Sequence, residues 1–388
     1  MAYFRNAAVN LLNLHYAITA LVSNGASAFI GVYLFRAGLT LPGVLLVMAG
    51  ILVLRFAVRP MVVPLAVRVG LQPLVVAGTL IIAAQFLILA EVHGANVALY
   101  ALIVVSAIGD AVYWSGYHAY FAALGDPEHR GHQIGVREAA AAIAGIAAPV
   151  VTAWLLVIAG PMVAFGAASA VLVGAALPLL WTPNIPVARH SSGAIRAARF
   201  GITIFMLDGW IGAGFLFVWQ LALFLSLDQS FVKYGGALAL AALVGAVAGM
   251  LLGRHIDAGG GGRAVFVAST AMTIVILLRA ASPGHPIFAV TANAVASIAV
   301  CLYVPTTMTA VYNSARASRC PLRFHVAAEG GWDAGAASGS LLAAALLERG
   351  LPISIALLLP LAAIGPAVVL LRRYYDAGEH APRGATVT

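Results

Sequence analysis

TPNIPVARHSSGAIRAARFG, residues 182–201, is the stretch on which the fold turns. It holds two prolines, two serines and three arginines, in a chain of 388 residues that is 62% hydrophobic and only 9% charged. Long apolar runs flank it, six before and six after, each close to the roughly 20 residues that cross a hydrocarbon core as a helix. With a mean hydropathy of +1.00 the chain has too little polar surface to cover a water-soluble globule. Backbone polar groups have no water to bond to in lipid, so spanning segments of this length must be helical.

The expected fold is therefore an all-α membrane protein of twelve transmembrane helices in two pseudo-symmetric six-helix bundles. The first span lies near 10–36 and the last near 352–372. The boundaries follow: an N-terminal bundle over 1–182, a cytoplasmic linker over 183–198, a C-terminal bundle over 199–375 and a polar cytoplasmic tail over 376–388. A shift of about 190 residues brings Tyr303 onto Tyr113 and, with one residue more, Glu329 onto Glu138, in keeping with two parallel halves.

The formal net charge of +8 reports orientation. If the N-terminus is cytoplasmic, all 21 basic residues except Arg36, Lys233, Arg279 and Arg349 fall on the cytoplasmic side. That asymmetry is the positive-inside rule; it places both termini in the cytoplasm and removes the need for a nucleic-acid partner. The expected setting is a bacterial inner membrane, with the bilayer as solvent and a monomer as the default state. Two cysteines, Cys301 and Cys320, support neither a disulfide framework nor a metal-cysteine motif. The first apolar run holds Asn13 and His15 and lacks a small-residue cleavage site, so it reads as a retained helix.

Two loops and one helix carry a family resemblance. VPLAVRVGLQP (63–73) resembles the G-x-L-A-D-R-x-G-R-R loop of the major facilitator superfamily, keeping Leu65, Ala66, Arg68 and Gly70 but placing Val63 at the first glycine, Val67 at the aspartate, and Leu71 and Gln72 at the basic pair. GRHIDAGGGGR (253–263), its counterpart in the second half, keeps Gly253 and Asp257 and supplies Arg263. GVREAAAAIAGIAAPVVTA (135–153) is similar to the superfamily's antiporter signature in the fifth helix: Gly135 and Pro149 match, while Ala144, Ala148, Thr152 and Ala153 take glycine positions. Small residues allow close helix approach and proline bends a helix. The resemblance implies two rocking bundles, a cavity lined by the first, fourth, seventh and tenth helices, and gating loops at Arg68, Gly253, Asp257 and Arg263. The Arg137–Glu138 pair at the start of the fifth helix is expected to help the cytoplasmic gate close.

Charged residues inside the spans mark the candidate site, because each is costly in hydrocarbon unless paired or facing water. In the fourth helix, Asp110, Trp114 and His118 share one face, flanked by Tyr113 and Tyr117. In the seventh, Asp208, Gly212, Phe215 and Trp219 fall on one stripe. The first helix offers Asn13, Tyr16, Asn24 and Ser27, with His15 off that stripe and structural. In the eleventh, Glu329 and Asp333 stand one turn apart, and two such acids resist ionising together; for Glu329 the alternative is a salt bridge to Arg316, Arg319 or Arg323 near the cytoplasmic surface, and Asp333 is the better coupling candidate. Arg55 in the second helix is expected to pair with an acid of the fourth or eleventh helix, the alternatives being to snorkel toward the cytoplasm or to hold an anionic substrate. Proton coupling is assigned to Asp110, Asp208, Asp333 and Glu329; the substrate cavity to Tyr113, Trp114, Tyr117, His118, Asn24, Trp219 and Tyr303; and gating to Arg55, Arg68, Glu138, Pro149, Gly253, Asp257 and Arg263.

These residues suit a secondary transporter that exports a small organic solute in exchange for protons by alternating access. A proton-coupled symporter importing a sugar or aromatic metabolite uses the same acids in the other sense, and a sensor or scaffold that no longer transports is the reading from another class. No nucleotide-binding G-x-x-x-x-G-K-[ST] loop, H-E-x-x-H or G-x-S-x-G occurs, so ATP coupling, zinc hydrolysis and serine hydrolysis have no motif, and no cofactor is expected.

Overall fold

The computed structural model describes residues 6–125, 130–189, 198–256, 261–318 and 320–379, with the backbone alone described at 130–140, 252–256, 316–317 and 377–379. Among these residues the chain forms twelve long helical rods. They are α1 Ala7–Arg36, α2 Leu41–Val69, α3 Leu71–Ala90, α4 Val97–Leu124, α5 Arg130–Ile158 and α6 Gly160–Trp181, then α7 Arg199–Ser226, α8 Phe231–Ile256, α9 Gly261–Ala281, α10 Pro286–Ala317, α11 Pro321–Glu348 and α12 Ile353–Asp376. Side-chain caps start several of them: Asn6, Thr40 and Asn96 accept from the amides of Val9, Gly43 and Leu99. Prolines open α10 and α11, where the missing N–H has no intrahelical partner to lose.

Eleven helices among the described residues are long and apolar enough to cross a membrane, and α11 is not one of them. Its GGWDAGAASGS segment dilutes the apolar content with glycine, serine and an acid. The protein rather than lipid is its solvent: α11 packs against α7, α2 and α4, and Gly331, Asp333, Gly335 and Ser340 are all buried. At Gly335 the seam with α7 is so close that a Cβ would run into the main-chain carbonyl of Met206.

Among the described residues the two largest interfaces between the halves are α2 with α11 and α5 with α8, and under the internal symmetry one is the image of the other. The outer part of α1 also meets α7. Far from the termini the seam is closed by rings: Phe29 of α1 stands edge-on to Tyr234 of α8 at 5.2 Å, and the Tyr234 hydroxyl donates to the Ala28 carbonyl at 3.1 Å. Phe224 and Phe231 stack beside them at 5.4 Å.

The end of the bundle that holds the termini is organised differently. The 63–73 loop is mostly helix, with Val62–Val69 stopping at Gly70, whose φ of 86° suits glycine. Asn184 docks there, donating to the Val69 carbonyl at 2.8 Å, while the Leu71 amide donates to the Ile185 carbonyl at 3.0 Å. The first part of the connection between the halves is thus fastened onto the N-terminal bundle; residues 190–197 lie outside the described residues.

Candidate functional site

Arg55 and Arg59 stand one turn apart on α2, and His325, Glu329 and Asp333 occupy successive turns of α11 facing them. Arg55 Nε donates to Asp333 Oδ1 at 2.5 Å and its Nη1 to Asp110 Oδ2 at 3.3 Å. Arg59 Nε donates to Asp333 Oδ2 at 2.8 Å and Nη1 to Ser115 Oγ at 2.9 Å, and the same guanidinium pairs with Glu329. The Ser115 hydroxyl donates to Glu329 Oε2 at 3.3 Å. Asp333 is fully enclosed, whereas 26% of the Asp110 side chain stays exposed. Charges this deep are tolerated because each has an opposite partner, and removing one partner strands the other.

The cluster holds two guanidiniums and three carboxylates, and it draws together α2, α4 and α11 from both halves. Arg55 therefore makes both of the ion pairs expected as alternatives. The expected like-charge pair of Glu329 and Asp333 is replaced by a shared cation, since Arg59 bonds to both. His118 Nε2 lies 3.9 Å from Glu329 Oε1, and its ring stacks on His325 across the seam at 5.6 Å.

Above the cluster is a central cavity of about 550 Å³, whose wall includes Asn24, Arg55, Gln85, Asp110, Gln220 and Trp332. Tyr113, Trp114 and Pro149 also line it. A smaller cavity of about 240 Å³ holds Asp208, His118, His325, Glu329 and Asp333. Arg55, Trp114 and Trp332 line both spaces and form the partition between them. The Trp332 ring lies 5.2 Å from the Arg55 guanidinium, and its Nε1 donates to Asp208 Oδ2 at 3.1 Å. Among the described residues no cation pairs with Asp208, in contrast to the acids of the cluster.

Four residues expected on the wall of the central cavity lie elsewhere, His118 among them, since it lines the smaller space. Tyr117 is fully buried, stacked on Tyr16 and Tyr113. Tyr303 is buried in an apolar cluster with Ile211 and Met272. Trp219 is displaced because residues Ala213–Val218 form a π-helical turn, which breaks the 3.6-residue period from which its stripe was drawn. Leu216, Phe217 and Gln220 face the cavity instead, while Phe215 and Trp219 cover Arg279 at 3.8 and 4.5 Å. Arg279, expected at the outer surface, is buried, with Nη1 donating to the Phe215 carbonyl at 3.0 Å.

His15 ties α1 to its neighbours as expected, bonded to the Ala175 carbonyl at 2.7 Å and the Tyr113 hydroxyl at 3.1 Å. Arg68 and Arg263 are exposed at the terminus end. The side chain of Glu138 and the environment of Gly253 fall in backbone-only stretches, and Asp257 lies outside the described residues. Arg59, Ser115, His325 and Trp332 are site residues that the sequence reading did not assign. The i, i+4 spacing of Arg55 with Arg59, and of His325 with Glu329, is the signal that would have found two of them.

No family model matches the chain, and no curated protein matches its sequence. Its architecture is similar to the crystal structure of the human organic anion transporter MFSD10 (TETRAN), with a TM-score of 0.68 at 15% identity over 95% of this chain and 98% of that one. The protein is an integral membrane protein with the fold of the major facilitator superfamily.

Proposed function

We propose that the protein is a secondary transporter that moves a small organic solute by alternating access, exporting it in exchange for protons, with both termini cytoplasmic. The observation that supports this is the position of Asp110, which belongs at once to the cavity wall and to the ion cluster. A proton or solute arriving at Asp110 competes with Arg55 for its carboxylate. Arg55 also holds Asp333 of the other half, so occupancy of the cavity alters the strength of the bridge between the halves. Asp208, behind the Trp332 partition and without a cation partner among the described residues, is the second proton carrier. The wall mixes Trp114, Phe217 and Trp332 with Asn24, Gln85 and Gln220, which suits an organic molecule with an aromatic or apolar body and a few polar groups. The organic-anion label of MFSD10 favours an organic solute as cargo. The export direction rests on the fifth-helix resemblance around Pro149. The described lining of the cavity comes from a single chain, which supports a monomer as the working unit.

The test uses purified protein in sealed liposomes containing a pH-sensitive dye, challenged with drugs, sugars and organic acids under pH gradients of either sign. Solute-triggered proton movement that disappears in Asp110→Asn or Asp208→Asn supports coupled transport, and its direction separates antiport from symport. Solute flux with unchanged proton traces overturns the coupling.

A further inference from the structure

At the terminus end of the seam, Arg68 of α2, Arg189 beyond α6 and Arg323 in the first turn of α11 line a cleft of about 580 Å³, together with Val63, Pro64 and Val67. None of these six residues is acidic. Arg323 Nη2 donates to the Arg189 carbonyl at 2.7 Å, which fixes the guanidinium, yet its Nε is buried with no hydrogen-bond partner among the described residues. A buried N–H on a cation is costly to leave unmet. The three like charges come from the N-terminal bundle, the connection and the C-terminal bundle, so they oppose the approach of the halves unless an anion sits among them.

The setting is interfacial. Beside the cleft the short segment Val62–Val69 buries Val62 and Ala66 while Leu65 and Val69, with the preceding Met61, are exposed. An amphipathic turn with apolar residues outward and an arginine at its end matches the depth of lipid headgroups.

We propose that this cleft binds a phosphate group, held by Arg68 and Arg323 from opposite halves and by Arg189, so that the anion bridges the seam. Guanidinium forks match the oxygens of a phosphate in pairs, which a single exposed lysine does not. The phosphate can belong to an anionic phospholipid headgroup or be free in solution.

The experiment measures thermal unfolding of the purified full chain in detergent micelles titrated with phosphatidylglycerol or phosphatidylcholine, and separately with inorganic phosphate against chloride at equal ionic strength. The wild type is compared with Arg68→Gln, Arg323→Gln, the double variant and Arg36→Gln, an exposed arginine at the opposite end. The expected result is stabilisation of the wild type and of Arg36→Gln, with apparent affinity weakened roughly tenfold for each cleft arginine removed. Stabilisation by phosphatidylglycerol alone identifies the headgroup as the source, and stabilisation by phosphate alone identifies the soluble anion. If neither stabilises the wild type, or if the double variant responds as the wild type does, the proposal is overturned. Should the double variant fail to fold, Arg189→Gln in the coil serves with the same readout.

Discussion

Arg59 and Asp333 lie 274 positions apart in the chain, and Arg59 Nε donates to Asp333 Oδ2 at 2.8 Å across the seam between the halves. Both side chains are out of water, at 3% and 0% exposure. Their pairing holds the terminus end of the seam, as the rings of Phe29 and Tyr234 hold the other.

Removing one member of this pair strands a buried charge, at a cost of about 3–5 kcal/mol. Asp333→Asn and Arg59→Met are therefore each expected to lower the unfolding temperature in detergent. The double variant should lose less than the sum of the two. Additive losses in a double-mutant cycle would show that the pair contributes no coupling.

Asp208→Asn keeps an acceptor for the Trp332 indole, so the fold should persist and Tm should change by less than about 2 °C, the scale of a perturbation under 1 kcal/mol. What should vanish is the acceleration of solute flux by a pH gradient. Flux in liposomes that still responds to the gradient would remove Asp208 from the coupling path.

At Gly335 there is no room for a methyl group against the Met206 carbonyl. Gly335→Ala must spread α7 from α11, with an expected loss of about 1–3 kcal/mol. Gly166→Ala, on α6 with open space around it, is the comparison and should be neutral. Equal unfolding temperatures for the two variants would contradict the close seam.

Phe29→Ala removes the ring that covers Tyr234 and should loosen the end of the seam opposite the termini. With Cys301 and Cys320 first replaced by serine, a cysteine introduced at Asn24 on the cavity wall should react faster with an impermeant maleimide from that side. An unchanged rate would mean that the rings do not control access.

Much of the architecture was legible because a bilayer reads length and apolarity, which are local properties of a sequence. The helical rods follow from that alone. α11 was also found, although its interior position, which explains its glycines and serines, is a tertiary fact. The acids and Arg55 were legible as costly charges in apolar runs. Their wiring was not: nothing local says that Arg59, beside Pro60 at a helix end, turns inward instead of toward headgroups. The α7 stripe failed for a different reason, since periodicity assumes an unbroken α-helix and the turn at Ala213–Val218 is wider.

That turn sets a trap for anyone mapping the permeation route by chemical labelling. Through this segment a cysteine ladder counted in fours will miss a rung. Probes at Leu216, Phe217 and Gln220 should be modified and protected by substrate, while those at Phe215 and Trp219, the positions a regular helix nominates, should stay silent against Arg279. A ladder reactive at Phe215 and Trp219 would instead describe a helix with no wide turn at all.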